Sequence, residues 1–161
     1  MDNTINKILS DLDIDELLQQ QYIGRLACQQ DGHLYVLPIS YAYKDNCLYM
    51  HSFEGKKISM MRNNPNVCFE VDDIQDIANW KSAIVWGNFE ELTDTKLRLE
   101  GLTILISRSL PIINTSVTSH LEDNWPFPLD ENLDDIEGCV FRIQIHQKTG
   151  RYRTLKYFKR K

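Results

Sequence analysis

HLYVLPISYAYKDNCLYMHSFEGKKISMMRNNPNVCFEV, residues 33–71, decides how the chain folds. From Leu34 to Tyr43 the residues alternate. Val36, Pro38, Ser40 and Ala42 make a small, partly polar face, and Tyr35, Leu37, Ile39, Tyr41 and Tyr43 make a large apolar one. A period of two predicts one long strand, with the large face turned to a core or an interface. Pro38 has no N–H to give a ladder, so it belongs on an edge or at a bulge. Lys44-Asp45-Asn46 predicts a turn, and Cys47 to His51 a returning strand. Ser52-Phe53-Glu54-Gly55 leaves the sheet, Lys56 to Asn63 predicts a short helix, and Asn64-Pro65-Asn66 stops it. Val67 to Val71 reads as a buried strand.

That order creates a place for an anion. A helix start offers unpaired N–H groups and the positive end of a dipole. Lys56 and Lys57 add full charge there, and Ser52 adds a hydroxyl just upstream. A lysine pair alone is usually a solvated helix start. Placed after strand, loop and Gly55, it reads as the grip on a nucleotide phosphate. The low-relief Val36–Ser40 face is then a bed on which a flat ring can approach the backbone.

Working outward, residues 1–20 predict an amphipathic helix, with Asp13 and Asp15 in a first turn that covers Leu17 and Leu18. Tyr22 to Gln29 predicts a strand, turned at Gln30-Asp31-Gly32. Asp72 to Asn79 reads as an acidic, poorly patterned connection. Trp80 to Leu92 predicts a long strand with a bulge or close approach at Gly87. Asp94 to Ser107 predicts a helix capped by Thr93 or Asp94. Residues 111–137, with Trp125-Pro126-Phe127-Pro128, read as an irregular loop. Gly138 to His146 predicts a strand with Cys139, Phe141, Ile143 and Ile145 on one face. A turn is expected at Thr149-Gly150, before a last short strand or tail. Six or seven strands and few helices predict a mainly β protein, a closed or split antiparallel barrel.

The chain has 161 residues and a formal net charge of −5, which suits one domain and argues against nucleic acid as the main partner. Residues 122–137 hold seven acids and no Lys or Arg, and residues 148–161 hold seven bases and no acid. The first segment reads as a solvated loop. The second reads as a solvated basic tail or a further hold on an anionic ligand. Cys28, Cys47, Cys68 and Cys139 form no CxxC pair and His33, His51, His120 and His146 are scattered, so no metal site is expected. No apolar run approaches a membrane span and the start lacks a secretory pattern, so a cytoplasmic location is expected.

LPISYAY, LYMHSFEGKK, NNPNVCFEVD and SAIVWGNFEEL, in that order, resemble the flavin-binding split-barrel proteins related to pyridoxamine 5′-phosphate oxidase, and within them the nitroimidazole-resistance branch. The resemblance covers residues 20–107. It implies a six-stranded antiparallel split barrel that works as a homodimer, with FMN, or alternatively FAD, in a cleft between subunits. It implies that Pro38, Ile39 and Ser40 meet the isoalloxazine ring. Met50, His51 and Ser52 lie beside the ring and ribityl chain, Lys56 and Lys57 meet the phosphate, and Trp86 stands in the strand at the dimer cleft. The implied activity is a flavin-dependent oxidoreductase acting on nitro compounds or another small acceptor, with His51 as a candidate catalytic group. The arginine-rich grip of a true pyridoxamine 5′-phosphate oxidase is not in the strand pattern. The alternative is a non-catalytic flavin- or haem-binding module.

Overall fold

The computed structural model describes residues 4–108 and 132–155. Eight strands form one antiparallel sheet: β1 (Thr4–Ile8), β2 (Ile23–Gln30), β3 (His33–Ser40), β4 (Ala42–Lys44), β5 (Cys47–Ser52), β6 (Asn66–Asp76), β7 (Asn79–Glu91) and β8 (Cys139–Leu155). Three helices join it: α1 (Asp11–Gln20), α2 (Lys56–Asn63) and α3 (Thr95–Ser107). The strand order is β3-β2-β6-β7-β8-β5-β4, and β1 pairs with β8.

The two ends of that order, β3 and β4, are consecutive in the chain. The long strand expected over 34–43 is therefore two strands that belong to opposite margins of the sheet. A single residue, Tyr41, carries the chain across, so the sheet curls into a split barrel whose seam is covalent at one point. Tyr41 is 2% exposed and fixed from three sides. Its N–H donates to the Tyr22 carbonyl at 3.1 Å, and its hydroxyl donates to the Leu18 carbonyl at 2.7 Å. Its own carbonyl accepts from Arg108 Nη1 at 2.5 Å. The division at Tyr41 and the added β1 raise the expected six strands to eight.

Tight turns set the register. Asp31 and Gly32 join β2 to β3 with φ of 51° and 79°, and Asp45 and Asn46 join β4 to β5 with φ of 51° and 59°. These left-handed pairs match the twist of a two-residue hairpin. Pro38 lies on the edge strand β3, opposite Arg25 of β2, where its missing N–H costs no ladder bond. At the Trp86/Gly87 bulge the β7–β8 register shifts by one, as expected at Gly87. A Cβ on Gly87 would stand 2.5 Å from the Gln144 carbonyl oxygen.

Four further expectations are corrected. Residues 1–20 are not one helix: 4–8 pair with β8, and the helix begins at Asp11 behind the Ser10 cap, whose hydroxyl accepts from the Asp13 N–H. The Asp72–Asn79 connection is mostly ladder. β6 runs to Asp76, whose carboxylate accepts from the N–H groups of Ala78 and Asn79 and closes a short hairpin. Thr149-Gly150 makes no turn, because Gly150 lies inside β8. A Cβ there would meet Ile14 and Leu9 at 2.8–2.9 Å, so the glycine admits α1 against the strand. Ala42 does not share the open face of Val36, Pro38 and Ser40, since past the crossing it is buried under α3. Of the irregular loop, 111–131 lie outside the described residues, including Trp125 to Pro128. Leu133–Asp135 form a 3-10 turn. The basic tail is β8 as far as Leu155, and its remainder lies outside the described residues.

The main core fills the barrel. Leu26, Met50, Phe69, Val85, Phe141 and Ile143 meet Leu17 and Leu18 of α1 and Ile58 and Met61 of α2. A second cluster, with Tyr49, Leu102 and Val140, seats α3 on the outside of β5 and β8. Cys28, Cys47 and Cys139 are buried free thiols, and Cys68 is half-buried. Among the described residues no helix is long and apolar enough to cross a membrane.

Candidate functional site

β5 is covered on both faces from Cys47 to Met50 and becomes half-open only at His51 and Ser52. There the chain leaves the sheet for α2, which plugs the barrel with Ile58, Met60 and Met61. This places the start of α2 beside β2 and β3. Lys56 Nζ lies 5.1 Å from the centre of the Tyr35 ring on β3. Lys57 and Lys56 both pull electrostatically on the buried Cys28 thiol of β2, against the burial that pushes its pKa up.

The helix start is open. Gly55 is its N-cap and no side chain caps it. A Cβ added at Gly55 would find no atom within 4 Å, so there is room before the first-turn N–H groups. Ser59 N–H turns back to the Gly55 carbonyl at 3.1 Å, so the helical ladder begins directly behind that space. Uncapped donors, two ammonium groups and open room are the donor set a phosphate needs.

His51 is held by a chain of contacts. Its Nε2 lies 2.6 Å from the Glu137 carbonyl oxygen, which can only accept, so Nε2 carries the proton. The Phe53 ring packs edge-on at 5.6 Å. Gly138, at φ 98°, follows Glu137, and a Cβ there would stand 2.8 Å from His51 Nε2. Arg98 of α3 fixes this segment by donating to the carbonyls of Gly138, at 3.0 Å, and Ile136. Burial depresses the His51 pKa, the Glu137 carbonyl opposes this, and the charges of Arg98 and Lys57 add to the depression. The ring is therefore a neutral imidazole near pH 7, with Nδ1 as its acceptor nitrogen.

This shift has a measurable sign. Below the ordinary value of 6.5, the unfolded chain takes up the proton before the native ring does. Stability therefore rises with pH through the window between the native pKa and 6.5, and falls as acidification forces the ring to charge. Thermal midpoints measured from about pH 5 to about pH 8 should drop on the acid side, and His51→Gln should lose part of that drop. Identical pH profiles for the two proteins would contradict the assignment.

The other expected site residues are placed as follows. Pro38 and Ser40 are exposed along the β3 edge and Ile39 is buried beside them. Met50 is fully buried opposite Phe141 and presents no surface to a ligand, so it can only back the residues around it. Ser52 Oγ donates to the Phe53 carbonyl at 3.0 Å, so its proton is engaged within the loop. Trp86 is half-buried on the outer sheet face. The row Val36–Ala27–Cys68–Trp86 runs across β3, β2, β6 and β7. Three strand spacings, about 14 Å, separate its ends. Trp86 lines a shallow cleft of about 300 Å³ with Ala27, Leu34, Cys68 and His146. The structure thus brings His51 and the lysine pair to one end of β5, while Trp86 stands on the outer sheet face, three strands from the β3 edge.

Sequence reading missed Arg98, Glu137 and Gly138, which orient His51, and the Arg62–Glu54–Glu91 ion cluster next to the helix start. A glycine directly before a strand was the one visible sign. The ion pair of Arg62 with Glu91 joins positions 29 apart, which no local pattern reveals.

A family model described as pyridoxamine 5′-phosphate oxidase matches residues 10–151. Among solved structures, an FAD-binding protein of Mesorhizobium loti is 36% identical over 92% of this chain and 98% of that one, with a TM-score of 0.72. A candidate 5-nitroimidazole antibiotic resistance protein of Bacteroides thetaiotaomicron is 19% identical over 93% of this chain and 89% of that one, at a TM-score of 0.71, a likeness of fold. An uncharacterized protein of Rhizobium meliloti is 40% identical over 74 residues. Those residues are 46% of this chain and 49% of that protein, so the match spans about half the length of this curated relative.

Proposed function

The chain belongs to the pyridoxamine 5′-phosphate oxidase family of split barrels, and on that premise we propose that it is a flavin-binding oxidoreductase whose cofactor phosphate docks at the start of α2. The observation that carries this reading is the uncapped helix end with Gly55, Lys56 and Lys57 around open space. A phosphomonoester holds about two negative charges near pH 7, and this corner supplies matching cations and N–H donors. The proposed cofactor is FMN. FAD is the alternative, because the Mesorhizobium relative is named for it and both molecules carry a phosphate after the ribityl chain.

The β3 edge at Pro38, Ile39 and Ser40, with His51 and Ser52, would bound the ring and ribityl chain, and Met50 would back them from the core. A bound flavin supplies hydride and electron transfer between a nicotinamide or similar donor and a small acceptor such as a nitro compound. The chain's own contribution there is position and proton handling. His51 is neutral, oriented by Glu137 and close enough to Lys57 to feel its charge, so it can accept a proton at Nδ1 or orient a substrate. Trp86 belongs to a proposed contact between two copies of the chain. Leu34, Val36 and Ile23 are 80%, 61% and 58% exposed on the same outer face, an apolar patch that a second copy would cover.

Visible absorbance of the purified protein, followed by mass identification of what denaturation releases, tests the reading and separates FMN from FAD. Sedimentation of the same sample should show a dimer at micromolar concentration. Colourless protein that takes up neither flavin would end the proposal. Flavin that binds but is not reduced by NADH or NADPH would favour a storage or sensing role.

A further inference from the structure

Arg62 makes contacts that neither the core nor the helix requires. It sits near the C-terminal end of α2 with 42% of its side chain exposed, yet its guanidinium forms four hydrogen bonds. Nη1 and Nη2 donate to the two carboxylate oxygens of Glu54 at 2.9 and 2.6 Å. Nε and Nη2 donate to the two of Glu91 at 2.7 and 2.7 Å. These are two forks on one planar ion, a geometry open to arginine and closed to lysine. Side chains on a helix lean toward its N-terminus, so Arg62 runs back along α2 to the loop that precedes it. Glu91 is the last residue of β7 and anchors the far side.

Two effects follow at the anion corner. α2 has no side-chain cap and Gly55 has no side chain, so the loop in front of the helix is held from outside. The fork to Glu54 is that hold. Glu54 also carries its charge two residues before Lys56, where it would repel an arriving phosphate, and Arg62 draws it aside and offsets part of it. Exposed ion pairs add little to folding stability, so this cluster matters through placement.

We infer that Arg62 is a positioning residue of the anion site: its paired forks to Glu54 and Glu91 fix the Ser52–Gly55 loop and take the Glu54 charge out of the phosphate's path. This rests on the phosphate reading above. The test titrates the full chain with FMN and with riboflavin, which has the same ring and ribityl chain and no phosphate. Arg62→Ala should weaken FMN about 10- to 50-fold and leave riboflavin within about twofold. Arg62→Lys keeps the charge without the forks and should fall between, and it gives the reading if the alanine variant fails to fold. Glu54→Gln added to Arg62→Ala should recover part of the FMN affinity, and no recovery would overturn the charge half of the inference. Equal losses for both ligands, or unchanged FMN binding, would overturn it altogether. Alanine at 56 and 57 in the same titration separates the two claims. If only the lysine variant weakens, Arg62 has no such role. If the lysine variant binds FMN normally, the phosphate site falls and Arg62 falls with it.

Discussion

Replacing Lys56 and Lys57 together by alanine is expected to weaken FMN binding by about 100-fold or more while riboflavin affinity stays within about threefold. Hydrogen bonds to charged groups contribute roughly 1.5–3 kcal/mol each, and two ammonium groups on one phosphate give about 3–6 kcal/mol, two to four powers of ten in affinity. The helix end and its N–H groups survive the substitution, so a residual preference for the phosphate should remain. FMN affinity of the parent should also fall steeply with salt, and the variant should show a shallower slope, because the lost part is the screenable one. Fluorescence titration of both ligands at two ionic strengths is sufficient. Equal loss of both ligands would mean that the lysines shape the protein, and unchanged FMN binding would put the phosphate elsewhere.

Phe69→Ala is expected to be the most damaging core substitution, at about 3–5 kcal/mol. The ring is fully buried on β6 and packs edge-on against Tyr41 with centroids 4.8 Å apart. It also fills the space over Gly24 of β2, where a Cβ would stand 2.1 Å from the ring's Cζ. Phe69 thus supports both the residue at the seam and the strand beside it. A domain of this size loses roughly 2–4 °C of melting temperature per kcal/mol, so the midpoint should fall by about 10 °C or more. Gly24→Ala should destabilise too, and Phe69→Leu in its background should restore part of the loss by vacating that space. The Glu70 carbonyl, 2.6 Å from the same point, keeps the rescue partial. A double-mutant cycle by thermal or urea unfolding checks this. Strict additivity would show that the two positions do not compete for the same volume.

Much of this architecture was legible in the residues, and the failures have local causes. The hairpin turns, the cap at Asp94, the bulge at Gly87 and the edge position of Pro38 were readable because each depends on a few neighbouring side chains. The crossing at Tyr41 was not, because both strands share one unbroken alternation and only their partners differ. Gly150 misled because a glycine that admits a helix looks, in sequence, like one that makes a turn. The lysine pair and His51 announced their end of β5. Their supports did not, since Arg98 reaches Gly138 and Arg62 reaches Glu91 across long stretches of chain.

β8 lies between β7 and β5 and also holds β1. During synthesis residues 4–108 emerge first, and until 139–155 follow, the β4–β5 pair has no strand to join it to the β3-β2-β6-β7 half. Among the described residues β1 then has no strand to pair with. Two half-sheets tethered through Tyr41 therefore emerge from the ribosome with unpaired margins, and the ladder between them closes only after translation has passed the longest strand.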